Sequence, residues 1–268
     1  MVLRNRALPA LLLITLNVGI AIVWWWQSRS QPVQDRPMVM MSSIDLQWGS
    51  ADLGAVARGE GKSDPLFVRL DQDRQIIMVD NVAQLQAAKA KVAMLVQPRP
   101  FTPEELARLD HWVQAGGRLL FFADPALQWP SELPFGDPAR PLFTSMHSPL
   151  FAHWGLELVL PIDPDATTSE TEAKVGKQQL RTISPGQWLA LKSGSGNCRI
   201  AEGGLVAECR PGKGQVILVA DADLLHSALW QSALPGGDSS PNMDWTMQLL
   251  DRLERGRRLV GQRGEILE

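Results

Sequence analysis

The chain has 268 residues, of which 45% are hydrophobic and 21% charged, and its formal net charge is −3. These values exclude a disordered chain, a collagen-like repeat, a disulfide-dense miniprotein and a strongly basic nucleic-acid-binding protein. The charge is unevenly distributed. Arg4 and Arg6 are the only charged residues before Gln27, so the 24 basic and 29 acidic residues that follow leave a net charge of −5 on the rest of the chain.

The first apolar segment predicts a membrane anchor. Residues 7–26 are uncharged, and at about 1.5 Å per residue they span roughly 30 Å, the thickness of the hydrocarbon core of a bilayer. Arg4 and Arg6 favour a cytoplasmic N-terminus, and the tryptophans at 24–26 are typical of the far interface. A cleaved signal peptide is the alternative, although its apolar core is shorter and ends in small residues.

This segment divides the chain into regions. We expect a cytoplasmic tip and transmembrane anchor at 1–27, a tether at 28–37, an extracytoplasmic domain at 38–254 and a polar, solvated C-terminal tail at 255–268. The expected location is the bacterial inner membrane, crossed once, with the body in the periplasm.

Beyond the tether, short apolar runs alternate with helical patterns, which is typical of an α/β domain with a largely parallel sheet and helices on both faces. The pattern predicts strands at 39–46, 75–79, 92–96, 118–123, 156–160 and 215–220. It predicts helices at 103–115, 148–154 and 242–254, the last capped by Asn242. A long loop at 126–146 and a polar, mobile segment at 163–176 complete the domain.

The helix that begins at Pro103 has the strongest local signals. Thr102 is a suitable N-cap, and proline is favoured at the first helical position. Glu104 and Glu105 place negative charge at the positive end of the helix dipole. Gly116 supplies a left-handed terminator.

The two cysteines lie in one predicted β-hairpin insertion. The pair Gly203-Gly204 can form a two-residue turn in which both residues have positive φ. Folding about it places Cys198 opposite Cys209 and Arg199 opposite Glu208, at distances suitable for a disulfide and a cross-strand charge pair. An oxidising periplasm favours the disulfide. Two free thiols are the alternative, and a redox-active pair lacks the usual Cys-x-x-Cys spacing.

Acidic residues follow two of the predicted strands. Asp221 and Asp223 come after the last one, with His226 three residues later, and Asp124 follows the strand at 118–123. Because the carboxyl ends of parallel strands share one edge, these four residues are a candidate site for a sugar or a metal. The alternative is that the aspartates cap turns and helices.

Catalytic motifs are missing from the sequence. The segment 59–63 resembles a phosphate-binding loop but has Val56 where the motif needs glycine. There is no Gly-x-Ser-x-Gly elbow or His-Glu-x-x-His helix, and the four histidines are scattered. We therefore expect no catalytic residues, no cofactor, no resident metal and no enzymatic activity; a periplasmic hydrolase remains the least favoured reading.

Several short sequence segments together indicate a protein family. They occur at residues 41–49, 97–106, 116–125, 148–156 and 212–223. Over roughly residues 39–253, these segments as a set resemble the GldG-like auxiliary proteins of uncharacterised ABC-type transport systems. That family is related to gliding-motility proteins.

The resemblance implies an amidotransferase- or flavodoxin-like fold that lacks the catalytic cysteine of class I glutamine amidotransferases. It also implies an ABC permease and ATPase, or another envelope protein, as partners, and no nucleic acid. The predicted function is a non-catalytic, membrane-anchored auxiliary module. The alternative is a periplasmic module that binds a sugar or a metal.

Overall fold

The structure is a computed structural model that describes residues 37–47, 63–131, 133–137, 140–161, 170–230 and 240–267, together with Gly54 and Arg58. The predicted anchor and almost all of the tether lie outside these residues. Within the described ranges, no helix combines the length and the apolar character that crossing a bilayer requires.

The described residues form eleven strands and five α-helices. The strands are β1 (Pro37–Ser42), β2 (Gln75–Met78), β3 (Val92–Val96), β4 (Arg118–Phe122), β5 (Leu156–Val159), β6 (Glu170–Val175), β7 (Gln178–Ile183), β8 (Gln187–Ala190), β9 (Arg199–Ile200), β10 (Val206–Cys209) and β11 (Gln215–Val219). The helices are α1 (Pro65–Asp73), α2 (Val82–Ala87), α3 (Pro103–Gln114), α4 (Ser148–Trp154) and α5 (Pro241–Glu254).

The central sheet has seven strands in the order β2-β1-β3-β4-β11-β10-β9. The first five are parallel, and β10 and β9 continue the sheet in antiparallel pairing. Every residue of β3 and of β11 is buried, so both faces of the sheet are covered. The predicted mixed α/β fold with a mostly parallel sheet is confirmed, and the order of the parallel strands is that of the flavodoxin-like class.

The predicted start of α3 is confirmed in detail. Thr102 accepts a hydrogen bond from the backbone N–H of Glu105, whose side chain in turn accepts one from the N–H of Thr102. This capping box satisfies two N–H groups that the helix itself cannot use. The cap of α5 was assigned wrongly, because Ser240 caps this helix. Asn242 is buried instead and hydrogen-bonds both backbone groups of Arg181 and the carbonyl of Leu224.

Three expectations drawn from the sequence pattern are not met by the structure. The first strand ends at Ser42 rather than at 46. The strand at 156–160 pairs antiparallel with β8 in a small separate sheet. Residues 170–175, expected in a mobile segment, form β6, which pairs with β7. Both strands of this ribbon are largely polar and β6 is mostly exposed, so neither carries a hydrophobic signal.

The hairpin follows the predicted register. Arg199 lies opposite Glu208, both glycines of the turn have positive φ, and Cys198 and Cys209 form a disulfide. The predicted charge pair takes a different form. Arg199 donates to the carbonyl of Val260, whereas the carboxylate of Glu208 is buried and pairs with Arg210.

The C-terminal tail is not solvated as expected. Leu259 and Val260 are buried, and Val260 forms an isolated β-bridge with Ile266. The backbone N–H groups of Leu259 and Val260 donate to one carboxylate oxygen of Glu208 at 2.7 and 2.8 Å. The tail is therefore packed onto the hairpin, because its two N–H groups are the partners that a buried carboxylate requires.

Candidate functional site

Three aspartates meet where β4 and β11 end. Asp124, Asp221 and Asp223 are all buried, and one carboxylate oxygen from each lies within 4.8 Å of the others. Their meeting follows from the parallel register of β4 and β11, which ends both strands at the same edge of the sheet. We refer to these three residues as the carboxyl cluster.

Backbone N–H groups occupy most oxygens of the carboxyl cluster. The two oxygens of Asp124 accept from Ala126 and Ala222, each at 2.8 Å. Asp221 accepts from the N–H of Leu224 at 3.0 Å, and Asp223 accepts from Gln128 at 2.7 Å. These bonds fix the turn after β11 and the beginning of the long loop after β4.

Burial makes the carboxyl cluster hard to ionise. Loss of hydration raises the pKa of Asp124 to about 6. It raises the pKa of Asp223 to about 7, with a further contribution from the charge of Asp124. Burial also raises the pKa of Asp221 well above its usual value, and the charges of Asp124 and Asp223 add to this effect.

Protonation of Asp221 would satisfy a further oxygen of the carboxyl cluster. The Oδ2 atom of Asp221 is buried and has no hydrogen-bond partner among the described residues. Once Asp221 is protonated it can donate a hydrogen bond to Asp124, and this bond lowers the pKa of Asp124 against the effect of burial. One proton therefore removes both a buried charge and an unsatisfied oxygen.

The carboxyl cluster has the oxygen chemistry of a site for a hard divalent cation. However, both oxygens of Asp124 and one oxygen of each other aspartate already accept backbone N–H groups. All three residues are also only 0–1% exposed. In this arrangement four of the six carboxylate oxygens hold the two loops.

His226, the fourth predicted site residue, lies outside the carboxyl cluster. Its ring packs edge-on against Trp129, with 4.7 Å between the ring centroids, and its Nδ1 accepts a hydrogen bond from the N–H of Ala228. Burial lowers its pKa, and the charge of Asp64 partly opposes this. The structure thus brings together three of the four predicted residues.

Gln97 connects the carboxyl cluster to a neighbouring cleft. It follows β3, is buried and has a φ of 39°, a left-handed conformation that is uncommon for a residue with a side chain. Its amide accepts from the N–H of Asp124 at 2.9 Å and donates to the carbonyls of Asp124 and Leu142. Its own carbonyl accepts from the hydroxyl of Ser43. Strained positions of this kind cluster at functional sites.

The cleft lies at the point where the strand order reverses. The chain leaves β1 for β2 on one side and β3 lies on the other, the topological switch point at which open α/β sheets bind ligands. Its volume is about 550 Å³, within the range of small-molecule sites. The described lining, which we call the switch-point cleft, comprises Met41, Ser42, Ser43, Val79, Asp80, Arg99, Pro100, Gly136, Asp137, Arg140, Pro141, Leu142 and Phe143.

The sequence analysis did not identify the switch-point cleft. The reversal of strand order depends on how the strands assemble, and Gln97 finds partners 27 and 45 residues downstream. The available signal was the segment that follows β3, where Gln97 and Arg99 alternate with Pro98 and Pro100.

Comparison with known proteins finds a family match for the middle of the chain. Residues 66–198 match the family model described as "ABC-type uncharacterized transport system". This segment, 133 of the 268 residues, is similar to that family. The match confirms the predicted resemblance over a shorter range than 39–253, and it indicates an auxiliary component of an uncharacterised ABC-type transport system. No curated protein matches the chain in sequence.

Solved structures give weaker likenesses. The exo-β-1,4-mannosidase Op5Man5 from Opitutaceae bacterium strain TAV5 shares 15% identity at a TM-score of 0.44, with 87% of this chain and 38% of that chain covered. A β-galactosidase from Bacillus circulans sp. alkalophilus shares 16% identity at a TM-score of 0.43, with coverage of 84% and 32%. The N-terminal domain of mmIFT52 shares 14% identity at a TM-score of 0.42, with coverage of 80% and 97%.

The chain thus spans less than two fifths of the length of the mannosidase. Structural similarities this weak give no information about what the chain does.

Proposed function

We propose that the chain is a non-catalytic, membrane-anchored auxiliary module of an ABC-type transport system, with its body in the periplasm and the permease and ATPase as its partners. The family match over residues 66–198 carries this proposal. The uncharged segment at 7–26 and the arginines before it support the anchor and its orientation.

The carboxyl cluster supports a role without catalysis. A catalytic acid or base needs access to a substrate, whereas Asp124, Asp221 and Asp223 are 0–1% exposed and hold backbone N–H groups. Their raised pKa values follow from this burial.

A Ser–His–Asp arrangement among the described residues also lacks catalytic geometry. Ser195 and Asp110 both approach the same ring nitrogen of His153, Nε2, at 3.0 and 3.4 Å. A catalytic triad needs opposite ring nitrogens, so that the acid orients the ring while the other nitrogen takes the proton from serine. Asp110 is also committed to Trp154, whose indole N–H donates to it at 2.7 Å.

The partner proposal is tested on the full chain in the cell that makes it. A C-terminally tagged chain is crosslinked in the membrane, solubilised, purified and analysed by mass spectrometry. We expect an ABC permease and its ATPase to be enriched over a control that carries the same anchor and tether, residues 1–37, on an unrelated periplasmic domain. Equal recovery with both proteins would show that the body does not recognise the transporter.

The anchor proposal has a separate test. After carbonate extraction, we expect the full chain in the membrane pellet, and alkaline phosphatase fused to its C-terminus should be active. Replacing residues 1–27 with a cleavable signal peptide should release the body into the periplasmic fraction. Recovery of the unaltered chain in the soluble fraction, or an inactive fusion, would contradict the proposed anchor or its orientation.

A further inference from the structure

One wall of the switch-point cleft is formed by the loop that contains Phe143. Phe143 contributes to this wall, and its carbonyl accepts the N–H of Leu127 at 2.7 Å. Gln97 donates to the carbonyl of Leu142, and the carbonyl of Asp124 accepts the N–H of Ser145. The loop that closes the cleft is thus attached to the sheet on both sides of Phe143, which preorganises the cleft for a ligand.

Charge in the lining is balanced. It comprises two basic and two acidic residues: Arg99, Arg140, Asp80 and Asp137. The guanidinium of Arg99 is already engaged, because it donates to both carboxylate oxygens of Glu105 and to the backbone carbonyls of Asp80 and Pro100. The described lining therefore lacks the excess of positive charge that phosphate-bearing ligands need.

An aromatic surface stands beside these polar groups. Phe143 is 49% exposed and stacks against Phe135 with 5.5 Å between ring centroids. The guanidinium of Arg140 lies 4.5 Å from the ring centroid of Phe135 and 5.3 Å from that of Phe143. The Nη1 of Arg140 also donates to the carbonyl of Leu133, so stacking and this bond together fix the guanidinium at the edge of the cleft, with its other N–H groups left for a ligand.

Hydroxyl groups complete the lining. The Oγ atom of Ser42 accepts a hydrogen bond from the N–H of Ile44 at 2.9 Å, so its own O–H can donate into the cleft. Together with Arg140 and the carboxylate of Asp80, it gives the lining both donors and acceptors. A ligand that matches these groups has many hydroxyls, no net charge and an apolar face that can lie on an aromatic ring.

We infer that the switch-point cleft binds an uncharged sugar, a monosaccharide or short oligosaccharide. The hydroxyls of the sugar pair with Ser42, Asp80 and Arg140, and its C–H face lies against Phe143. The cleft volume of about 550 Å³ accommodates one or two sugar rings. This inference goes beyond membership of a transport system, because the purified chain should bind the sugar without a permease or an ATPase.

The experiment uses the full chain in a detergent without a sugar headgroup, on an array of neutral, uronic-acid and phosphorylated glycans, followed by calorimetry with the best neutral glycan. Phe143→Ala removes the stacking surface and should weaken binding about tenfold. Leu189→Ala is the matched control, since Leu189 is 45% exposed and outside the cleft. We expect the control variant to bind the glycan with an affinity within about twofold of that of the unaltered chain, because its substitution lies away from the cleft.

Three results would overturn the inference. They are failure of the chain to retain any neutral glycan, retention of acidic glycans alone, and equal affinity of the Phe143→Ala variant and the unaltered chain. Circular dichroism of both variants checks that each is folded. A second variant, Arg140→Met, should also lose affinity, which separates the loss of a donor from the loss of the aromatic surface.

Discussion

Gln97 shows how one side chain connects the sheet to the loop that closes the switch-point cleft. Its amide satisfies the N–H and the carbonyl of Asp124 and the carbonyl of Leu142. An apolar side chain of similar size would leave these backbone groups without their partner. Each buried polar group that loses its partner costs about 1–3 kcal/mol.

We expect Gln97→Met to lower the free energy of unfolding by about 2–4 kcal/mol, since part of the loop can recover hydrogen bonds with water. Urea denaturation of the full chain measures this change. Gln179→Met, on the exposed side of β7, makes the same substitution at the surface and should change stability by less than about 0.5 kcal/mol. Similar values for the two variants would show that the hydrogen bonds of Gln97 do not support the fold.

The residue scale also shows what a sequence can reveal about a site. Asp124, Asp221 and Asp223 were predicted to meet because the ends of parallel strands share an edge, a rule that needs no side-chain detail. The role of Gln97 could not be predicted in this way. Its partners are backbone atoms of a loop, and the sequence does not encode where that loop returns to the sheet.

At the scale of elements, local signals were the reliable ones. The hairpin was predicted in register because the two glycines and the mirrored cysteines lie within 12 consecutive residues. The capping box of α3 lies within four residues. The tail was misjudged because its burial depends on Glu208, about 50 residues earlier in the chain, whose carboxylate accepts from the N–H groups of Leu259 and Val260.

Glu208 should therefore control how firmly the tail is held. Glu208→Gln keeps the side-chain size but replaces one carboxylate oxygen with an N–H donor, which must face either Arg210 and Gln215 or the two backbone N–H groups. Hydrogen bonds to charged groups contribute about 1.5–3 kcal/mol each, so we expect a loss of stability of at least about 2 kcal/mol.

Hydrogen exchange of the full chain measures where this loss is felt. The amides of residues 259 and 260 should lose protection in Glu208→Gln, and the central strand β3 should keep it at conditions where the chain remains folded. Glu202→Gln, at the exposed turn of the same hairpin, is the control and should exchange like the unaltered chain. Unchanged protection at 259 and 260 would contradict the proposed hold on the tail.

At the scale of the whole molecule, buried ionisable groups make stability depend on pH in two opposite ways. Burial lowers the pKa of His226, and it lowers that of His147 to about 4, so below pH 6.5 the unfolded chain takes up protons that the folded chain does not. Burial keeps His147 neutral, although its hydrogen bond to the carbonyl of Arg99 partly opposes this effect. In the neutral ring Nε2–H donates to that carbonyl, and Nδ1 accepts from the hydroxyl of Ser145. These histidines destabilise the fold as the pH falls.

The carboxyl cluster acts in the other direction. The pKa values of Asp124 and Asp223 are raised to about 6 and 7, and that of Asp221 is raised further above its usual range. The folded chain therefore keeps protons that the unfolded chain releases above about pH 4. Burial also raises the pKa of Asp64, which adds to the same trend. Stability from these groups is present at low pH and is lost as the pH rises through the folded pKa values.

Between about pH 7.5 and 8.5 these two histidines are largely neutral in the folded chain and also in the unfolded chain, where their ordinary pKa is 6.5, so the carboxyl cluster sets the slope there. We expect the free energy of unfolding to fall as the pH rises, by up to about 1.4 kcal/mol per pH unit for each proton retained. Urea denaturation at several pH values measures this slope. Asp223→Asn should flatten this slope, because asparagine can still accept from Gln128 but holds no titrating proton and no longer raises the pKa of Asp221.

The control is Asp71→Asn, on the exposed side of α1, which makes the same change in charge and should leave the slope as it is. A stability that stays constant or rises with pH over this range would show that the carboxyl cluster is ionised in the folded protein.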